Sequence, residues 1–339
     1  VGGGKIMLKS NISLNYLRKL FIRVKNVLLV AHPSPDIDCL AAMKVIKKIL
    51  KDYFYKKVIL YSKDPINTLF KNIFNFEENE IVNEVNLSEF DCIIAIETGN
   101  YKRFLEALKI ENNDSQTIFK EKIILNFDHH ASNDLFGNYY YVDTSACSIN
   151  EALYDIIVDT EINIDEEIAH YIVMGIISDT GNLKYSSLTS KSLKILSELR
   201  NLVNWSNIFY DINKKSINEY KLLSIFYSRL KIEDKIAYSY VLKSDLEKLN
   251  LSLEDVNNII ENLDYLDETE IYFNVLELEK GKSKVSIRSR RIPIREIAES
   301  FGGGGHNLAA GFRIKKDPIQ TIDTILPVIK NLVRSDLKC

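Results

Sequence analysis

Four runs rich in Val and Ile mark the first half of the chain: NVLLVAH (26–32), KKVILYS (56–62), DCIIAIE (91–97) and KIILNFDHH (122–130). A strand with one wet face alternates apolar and polar residues, and these runs do not. Uniform hydrophobicity predicts strands covered on both faces, and the helical spacing between them predicts a mainly parallel sheet flanked by helices. Helices are expected at about 39–53, 65–74 and 166–177, the last carrying EEIAHYIVMGIISDTGN into a turn. After about Asn204 the pattern changes. WSNIFYDINKKSINEYKLLSIFYSRL is helical and mixed in polarity, as a connector between lobes would be. Beyond it KIAYSYVL (235–242), TEIYFNVLELE (269–279) and SKVSIRSR (283–290) alternate like strands of a second, mixed sheet, with helices expected at about 252–263, 293–300 and 321–333. The fold class expected is α/β in two domains, at 8–204 and 231–335 around a helical linker at 205–230, with the functional site in the cleft.

Composition narrows the classes of partner. The 339 residues hold 44 Lys and Arg against 47 Asp and Glu, so a formal charge of -3 supplies no overall positive field for a long polyanion. A small or local anionic ligand stays open. With 46% hydrophobic residues the chain can bury real cores. No apolar run approaches the roughly 18 residues of a membrane span, and the start lacks the order of a signal peptide, so a cytoplasmic location is expected. Cys39, Cys92, Cys147 and Cys339 show no CxxC spacing, which fits a reducing compartment better than a disulfide framework or zinc ribbon. The opening VGGGK is given no structural weight.

Three of the four apolar runs end in metal-binding residue types. His32, Asp36 and Asp38 lie in AHPSPDID, Glu97 in IAIETGN, and Asp128, His129 and His130 close the run IILNFDHH. Open α/β sheets place their functional crevice at the carboxyl ends of the strands, so these segments are expected to converge, with Asp179 of ISDTGN as a further contributor. Taken singly, each has a plain explanation. Asp36 is a fitting helix cap, His129 and His130 are fitting polar strand ends, Glu97 and Asp179 are ordinary loop carboxylates, and Cys39 is packing. Taken together, they would concentrate uncompensated negative charge, which predicts a metal site. Oxygen and imidazole donors without thiolate suit manganese or a similar divalent cation better than structural zinc. His170, on the apolar side of a helical pattern, is read as structural.

A second constellation is KVSIRSRRIPIREIAESFGGGGHNLAAGF (284–312). Its glycines, Gly304 and Gly305 among them, let backbone approach a ligand closely, Arg288 and Ser289 offer a charged fork and a hydroxyl to phosphate, and His306 follows at once. A flexible turn beside a solvated basic edge is the plain alternative, and Arg290, Arg291 and Arg295 fit that description.

AHPSPDID, DHH, ISDTGN and SIRS followed by GGGGHNLAAGF together resemble the DHH phosphoesterase superfamily, in the subgroup with a DHH-associated C-terminal domain. The resemblance spans roughly residues 15 to 335. It implies a metal-binding catalytic domain at 8–204, a substrate-binding domain at 231–335, and a hydrolase acting on cyclic di-AMP, linear pApA, nanoRNA or adenosine 3′,5′-bisphosphate. It implies Mn2+, two per chain, one held by His32, Asp36 and Glu97, the other by Asp38, Glu97, His129 and Asp179. Asp128 would orient His129, His130 would sit near the scissile phosphate, and Arg288, Ser289, Gly304, Gly305 and His306 would hold the nucleotide. A small nucleotide is the partner implied, with no long nucleic acid and no membrane, and a homodimer is the assembly the resemblance admits.

Two positions depart from the family pattern. Glu97 stands where the family usually has aspartate, and Ile37 and LAA (40–42) stand where glycine and Gly-Ser are frequent. The leading expectation is a manganese-dependent phosphodiesterase of short adenine-containing nucleotides. The alternatives are an adenosine bisphosphate phosphatase and a nucleotide-binding regulatory protein whose metal chemistry Glu97 impairs. A processive exonuclease fits less well for want of a long basic tract, and a pyrophosphatase less well because of the Gly-rich signature.

Overall fold

The apolar runs become strands because both of their faces find partners. In a computed structural model, which describes residues 8–66, 68–256 and 259–336, the chain divides into two units between Lys214 and Lys215. The VGGGK opening and Cys339 lie outside the described residues.

The first unit is built on a seven-stranded sheet of β1 (Leu8–Ser10), β2 (Asn26–Ala31), β3 (Lys57–Tyr61), β4 (Ile81–Val82), β5 (Cys92–Ile96), β6 (Ile123–Asp128) and β7 (Tyr139–Asp143). Its order is β1-β7-β6-β5-β2-β3-β4, parallel throughout except for β1 against β7. Successive residues feed opposite cores: Val27 and Leu29 of β2 join Cys92, Ile94 and Ile96 of β5 on one face, and Leu28 and Val30 join Ile93 and Ala95 on the other. Helices Ile37–Asp52, Ile149–Asp159 and Glu166–Asp179 cover the first face, and helix Tyr101–Leu108 covers the second with Phe104, Ala107 and Leu108. The chain runs from β2 to β3 in one direction and returns to place β5 on the other side of β2. That reversal opens a crevice between the carboxyl ends of β2 and β5.

The second unit holds a six-stranded sheet, in the order β12-β13-β11-β10-β9-β8, made of β8 (Lys231–Glu233), β9 (Ile236–Val241), β10 (Ile271–Glu279), β11 (Lys282–Ser289), β12 (Gly304–Gly305) and β13 (Ala309–Ile314). Only β9 and β10 run parallel, so the sheet is mixed as expected. Val275, Ile287 and Phe312 pack under Ile325, Ile329 and Val333 of helix Pro318–Asp336, while Tyr272 and Leu276 meet Leu222 and Phe226 of helix Ile217–Ser228.

The stretch 205–230 is shared by the two units. Helix Trp205–Asn213 seats Ile208 in the first core, and the Asn182 and Asn213 amides exchange hydrogen bonds of 2.8 and 3.1 Å. Helix Ile217–Ser228 belongs to the second unit. The helix expected at 252–263 is instead two 3-10 turns, Glu254–Val256 and Ile259–Leu263, whose tighter winding still buries Val256, Ile259, Ile260 and Leu263. Strand β7 escaped the sequence reading because YYYVD is not uniformly apolar, and β1 and β4 because they are short edges.

The glycine run has unequal constraints. A methyl at Gly303 would strike the Gly311 carbonyl and Phe312, whereas a methyl at Gly304 would meet nothing within 4 Å. Gly303→Ala should therefore destabilise the second unit by more than about 1 kcal/mol, and Gly304→Ala by roughly 0.5 kcal/mol or less. Thermal melts of the two variants check this, and equal melting temperatures would refute the packing argument.

Candidate metal centre

The crevice collects the acidic and imidazole groups of the first unit. His32 follows β2, Glu97 follows β5, and Asp128 ends β6 with His129 and His130 directly after it. Asp36 caps helix Ile37–Asp52 by accepting from Cys39 N at 3.0 Å, which places Asp38 in the first turn, and Asp179 is the last residue of helix Glu166–Asp179.

Each histidine nearest the centre has one nitrogen engaged. His32 Nδ1 lies 2.9 Å from Pro33 O and His129 Nδ1 lies 3.4 Å from Ala146 O. A carbonyl only accepts, so the proton belongs on Nδ1 and Nε2 keeps its lone pair. His32 Nε2 is 3.9 Å from both Asp36 Oδ1 and Glu97 Oε2, and His129 Nε2 is 3.5 Å from Glu97 Oε1 and 3.7 Å from Asp179 Oδ2. These gaps exceed a good hydrogen bond. They also lie a little above the roughly 3.0–3.4 Å edges that ligand bonds of about 2.1 Å leave, so a small inward movement would bring these donors onto a common cation. Glu97 Oε2 and His129 Nε2 are also buried without any hydrogen-bond partner. The donor set therefore fits a divalent cation. Among the described residues, three groups have donor atoms within 4.8 Å of one another: His32, Cys39 and Glu97; Glu97, His129 and His130; and Asp38, His129 and Asp179. Glu97 and His129 each belong to two of them. Cys39 is buried and its thiol is directed at Ile96 O, 3.8 Å away.

The electrostatics carry the same message. Burial, followed by the neighbouring Asp36, Asp38 and Asp179, pushes the Glu97 carboxyl well above its ordinary range. Burial also raises Asp38, and burial followed by the charge on Asp38 raises Asp179 to about 7. Asp36 goes the other way: burial opposes its ionisation, but the adjacent His32 and the Cys39 N–H hold it below the usual value. Glu97 carries backbone strain besides, because its φ of 54° is left-handed in a residue other than glycine, a conformation that costs of order 1–3 kcal/mol. Its N–H still bonds Phe127 O at 2.8 Å.

Asp128 serves a different histidine from the one expected. Its Oδ1 accepts from His130 Nδ1 at 2.7 Å, whereas it meets His129 only through the backbone N–H, also at 2.7 Å. A carboxylate directly before two histidines reaches the second ring because the chain turns there, with His130 N adding a bond of 3.1 Å to the same oxygen. Asn133 Nδ2 donates to Asp128 Oδ2 at 2.5 Å and to Thr98 O at 3.2 Å, tying the end of β6 to the segment after β5. Burial would raise Asp128, but the bond to His130 leaves its pKa lowered. The His130 ring stays 46% exposed, so a fixed imidazole faces solvent.

The other expected residues lie in the second unit. Arg288 and Ser289 end β11; Arg288 bonds Ile287 O at 3.2 Å, and the buried Ser289 hydroxyl accepts from Ile292 N at 2.9 Å, so it shapes a turn. Gly304 and Gly305 pair with Gly311 and Ala310, Gly305 at φ 143°, and the exposed His306 returns its N–H to Ala309 O at 2.8 Å.

Comparison with known proteins adds to this geometry. Residues 233–335 match the family model described as DHHA1 domain. Over those residues the second unit is similar to the DHHA1 domain. The chain is 26% identical over 293 residues to the bifunctional oligoribonuclease and PAP phosphatase NrnA of Bacillus subtilis, covering 85% of this chain and 89% of that protein. It superposes on an exopolyphosphatase-related protein from Bacteroides fragilis with TM-score 0.80 at 20% identity, covering 95% and 97% of the two chains. RecJ from Thermus thermophilus, solved in complex with Mn2+, matches with TM-score 0.52 at 13% identity, over 95% of this chain and 53% of that one. The resemblance to the DHH-associated C-terminal domain thus holds over residues 233–335, and the two-sheet α/β fold is shared with these structures.

In the second unit, β11 turns Lys284, Ser286 and Arg288 to one face, where Lys284 pairs with Arg313 of β13. Burial, then Arg313 and Arg288, lower the Lys284 pKa, as clustered positive charge does. Of the basic residues on this face, Arg288 was singled out in the sequence and Lys284 was not, although period-two spacing in KVSIRS already put Lys284 on its side of the strand. Among the described residues no helix is long and apolar enough to cross a membrane.

The pKa shifts set a pH dependence for metal-free protein. Asp38, Glu97 and Asp179 hold protons more tightly when folded than when unfolded, so stability falls as pH rises from about 4 through the Asp179 value of about 7. Asp36 and Asp128, shifted downward, act below that window. Chelator-treated protein should melt at a lower temperature at about pH 7.5 than at about pH 5.5, and saturating manganese should raise the melt more at the higher pH, where it replaces fewer protons. A chelated protein that gains stability across the same window would contradict the assignment.

Proposed function

We propose that the chain is a manganese-dependent phosphodiesterase that hydrolyses short oligoribonucleotides to mononucleotides. The observation that carries the reading is the pair of buried, unpartnered donors, Glu97 Oε2 and His129 Nε2, with the carboxylates of Asp38 and Asp179 grouped beside His129. The NrnA relatives, matched over most of their length, support short nucleotides as the substrate class. Release of phosphate from adenosine 3′,5′-bisphosphate is the second reading, favoured by the other activity in the same relatives' names. Cyclic di-AMP and linear pApA complete the candidates.

In this proposal His32, Asp36 and Glu97 hold one cation and Asp38, Glu97, His129 and Asp179 a second. Bound divalent ions supply Lewis acidity and a water acidified toward neutral pH. The protein supplies the rest. Glu97 lies 3.5 Å from His129 and 3.9 Å from His32, so one side chain serves both sides of the centre. Asp128 keeps the Nδ1 proton of His130 in place, so the exposed Nε2 meets a phosphoryl oxygen or leaving group in one tautomer. Arg288 and His306 bind nucleotide phosphate, and the carboxylates that would repel a polyanion are neutralised by the metal they hold.

The test is a substrate panel of two- to five-nucleotide RNAs, linear pApA, cyclic di-AMP and adenosine 3′,5′-bisphosphate, with manganese or chelator. Manganese-dependent release of mononucleotides from the RNAs is expected, and no turnover of any member would sink the proposal. In the same panel Arg288→Ala should raise KM by roughly 10- to 100-fold, the worth of a charge-assisted bond, while metal content is unchanged. Glu97→Ala should abolish turnover and raise the manganese needed for half-saturation, whereas Glu97→Asp should stay active at lower manganese than wild type. Wild-type activity in Glu97→Ala would remove Glu97 from the centre.

A further inference from the structure

One buried carboxylate of the centre, Asp38, is held by a residue that belongs to no motif. Asp38 is 1% exposed, and both of its side-chain oxygens and its backbone oxygen accept from the start of helix Ile149–Asp159. Ile149 N donates to Asp38 Oδ2 at 2.8 Å, and Asn150 Nδ2 donates to Oδ1 at 2.7 Å and to Asp38 O at 2.9 Å. One amide nitrogen thus bridges the main chain and the side chain of the same residue, which fixes its side-chain torsions. The amide orientation is settled by chemistry, since the reverse would set an oxygen against two acceptors.

Two neighbours keep the arrangement in place. The helix start is anchored by Ser148 Oγ accepting from Glu151 N at 3.0 Å, and by buried Glu151 accepting from Cys147 N at 3.1 Å and Ser192 Oγ at 2.7 Å. On the other side stands Gly175, where a methyl would collide with Asn150 Nδ2 and lie 2.5 Å from Asp38 Oδ1. Gly175 and Asp179 are four apart on helix Glu166–Asp179 and share a face, so one helix leaves room for the Asn150–Asp38 pair and supplies a carboxylate beside it. With one donor already on each Asp38 oxygen, the remaining lone pairs serve the group it forms with His129 and Asp179.

Asn150 is a costly choice for packing alone. Its Oδ1 is buried and has no hydrogen-bond partner, so a small apolar residue would remove an unsatisfied acceptor. What the amide contributes is its two bonds to Asp38. We propose that Asn150, backed by Gly175, is a positioning residue that presets Asp38 to receive a divalent cation; this rests on the metal reading of the centre. The cation gains because Asp38 loses no further rotamer freedom on binding, and partners of metal ligands typically change affinity by roughly 10- to 100-fold.

The experiment measures manganese binding to the chelator-stripped full chain without substrate, by calorimetry, with metal-free melting temperatures alongside. Asn150→Ala should raise the half-saturating manganese concentration by roughly 10- to 100-fold with little change in the metal-free melt. Leu153→Ala, a buried position on the same helix away from the bonds to Asp38, should lower the melt and leave half-saturation within about twofold. If Asn150→Ala fails to fold, Asn150→Asp keeps the shape and removes the donor, and it should bind weakly as well. Wild-type affinity in the folded Asn150 variant, or an equal loss in Leu153→Ala, overturns the positioning role while leaving the metal reading intact. A wild-type protein that takes up no manganese overturns both.

Discussion

Burial first, and neighbouring carboxylates after it, make Asp38, Glu97 and Asp179 hard to ionise: Asp36 acts on all three, Asp38 on Glu97 and Asp179, and Asp179 on Glu97. A fold tolerates such an arrangement only when something positive enters or when protons stay on. The rest of the first unit is organised around this constraint. Parallel strands buried on both faces supply a rigid rim, the reversal between β2 and β5 supplies the opening, and three helices from the same face deliver Asp38, Asn150 and Asp179. Hydrophobic burial is the large favourable term, and part of it is set against the repulsion gathered at the strand ends.

The ends of β2, β5 and β6 were legible in the sequence because two-sided burial writes itself as uninterrupted Val and Ile, and the polar residue that breaks each run is the one that faces the crevice. Asp179 was legible as the turn after a long apolar helix. Asn150 and Gly175 were not, because each matters through a neighbour distant in sequence: Asn150 meets Asp38 across 112 positions, and Gly175 is defined by what would not fit beside it. The pairing of Asp128 with His130, where His129 was expected, was hidden for a related reason, since adjacency in DHH does not say which ring the turn brings round. Helix 252–263 misled because four apolar residues at helical spacing are buried equally well by two tighter turns.

In the second unit the glycines divide into different jobs. Gly303 is required by the closeness of Gly311 and Phe312, and Gly305 by its φ of 143°. Gly304 has open space around it. Packing and backbone conformation therefore account for Gly303 and Gly305 but place no demand on Gly304, and the run as a whole is the means by which β12 returns against β13. The alternating face of β11, with Lys284 and Arg288 on one side and Val285 and Ile287 on the other, lets one strand serve the core and present positive charge together.

Glu97 is where geometry and family pattern pull apart. A glutamate in ordinary extended backbone at the end of β5 would carry its carboxylate one methylene further than aspartate does. Here the backbone leaves the strand in the left-handed region, at φ 54°, directly after Ile96. The turn redirects the side chain, and its two oxygens end 3.5 Å from His129 and 3.9 Å from His32. The longer arm and the strained backbone thus act in opposite senses, one extending the carboxylate and the other bending it back between the histidines. Strain of this kind persists only where surrounding contacts over-determine it. The Phe127 carbonyl that accepts the Glu97 N–H, and the Thr98 carbonyl that accepts from Asn133, are the contacts that fix this turn from either side. Because Asn133 also holds Asp128, the turn at Glu97 and the orientation of His130 share a support.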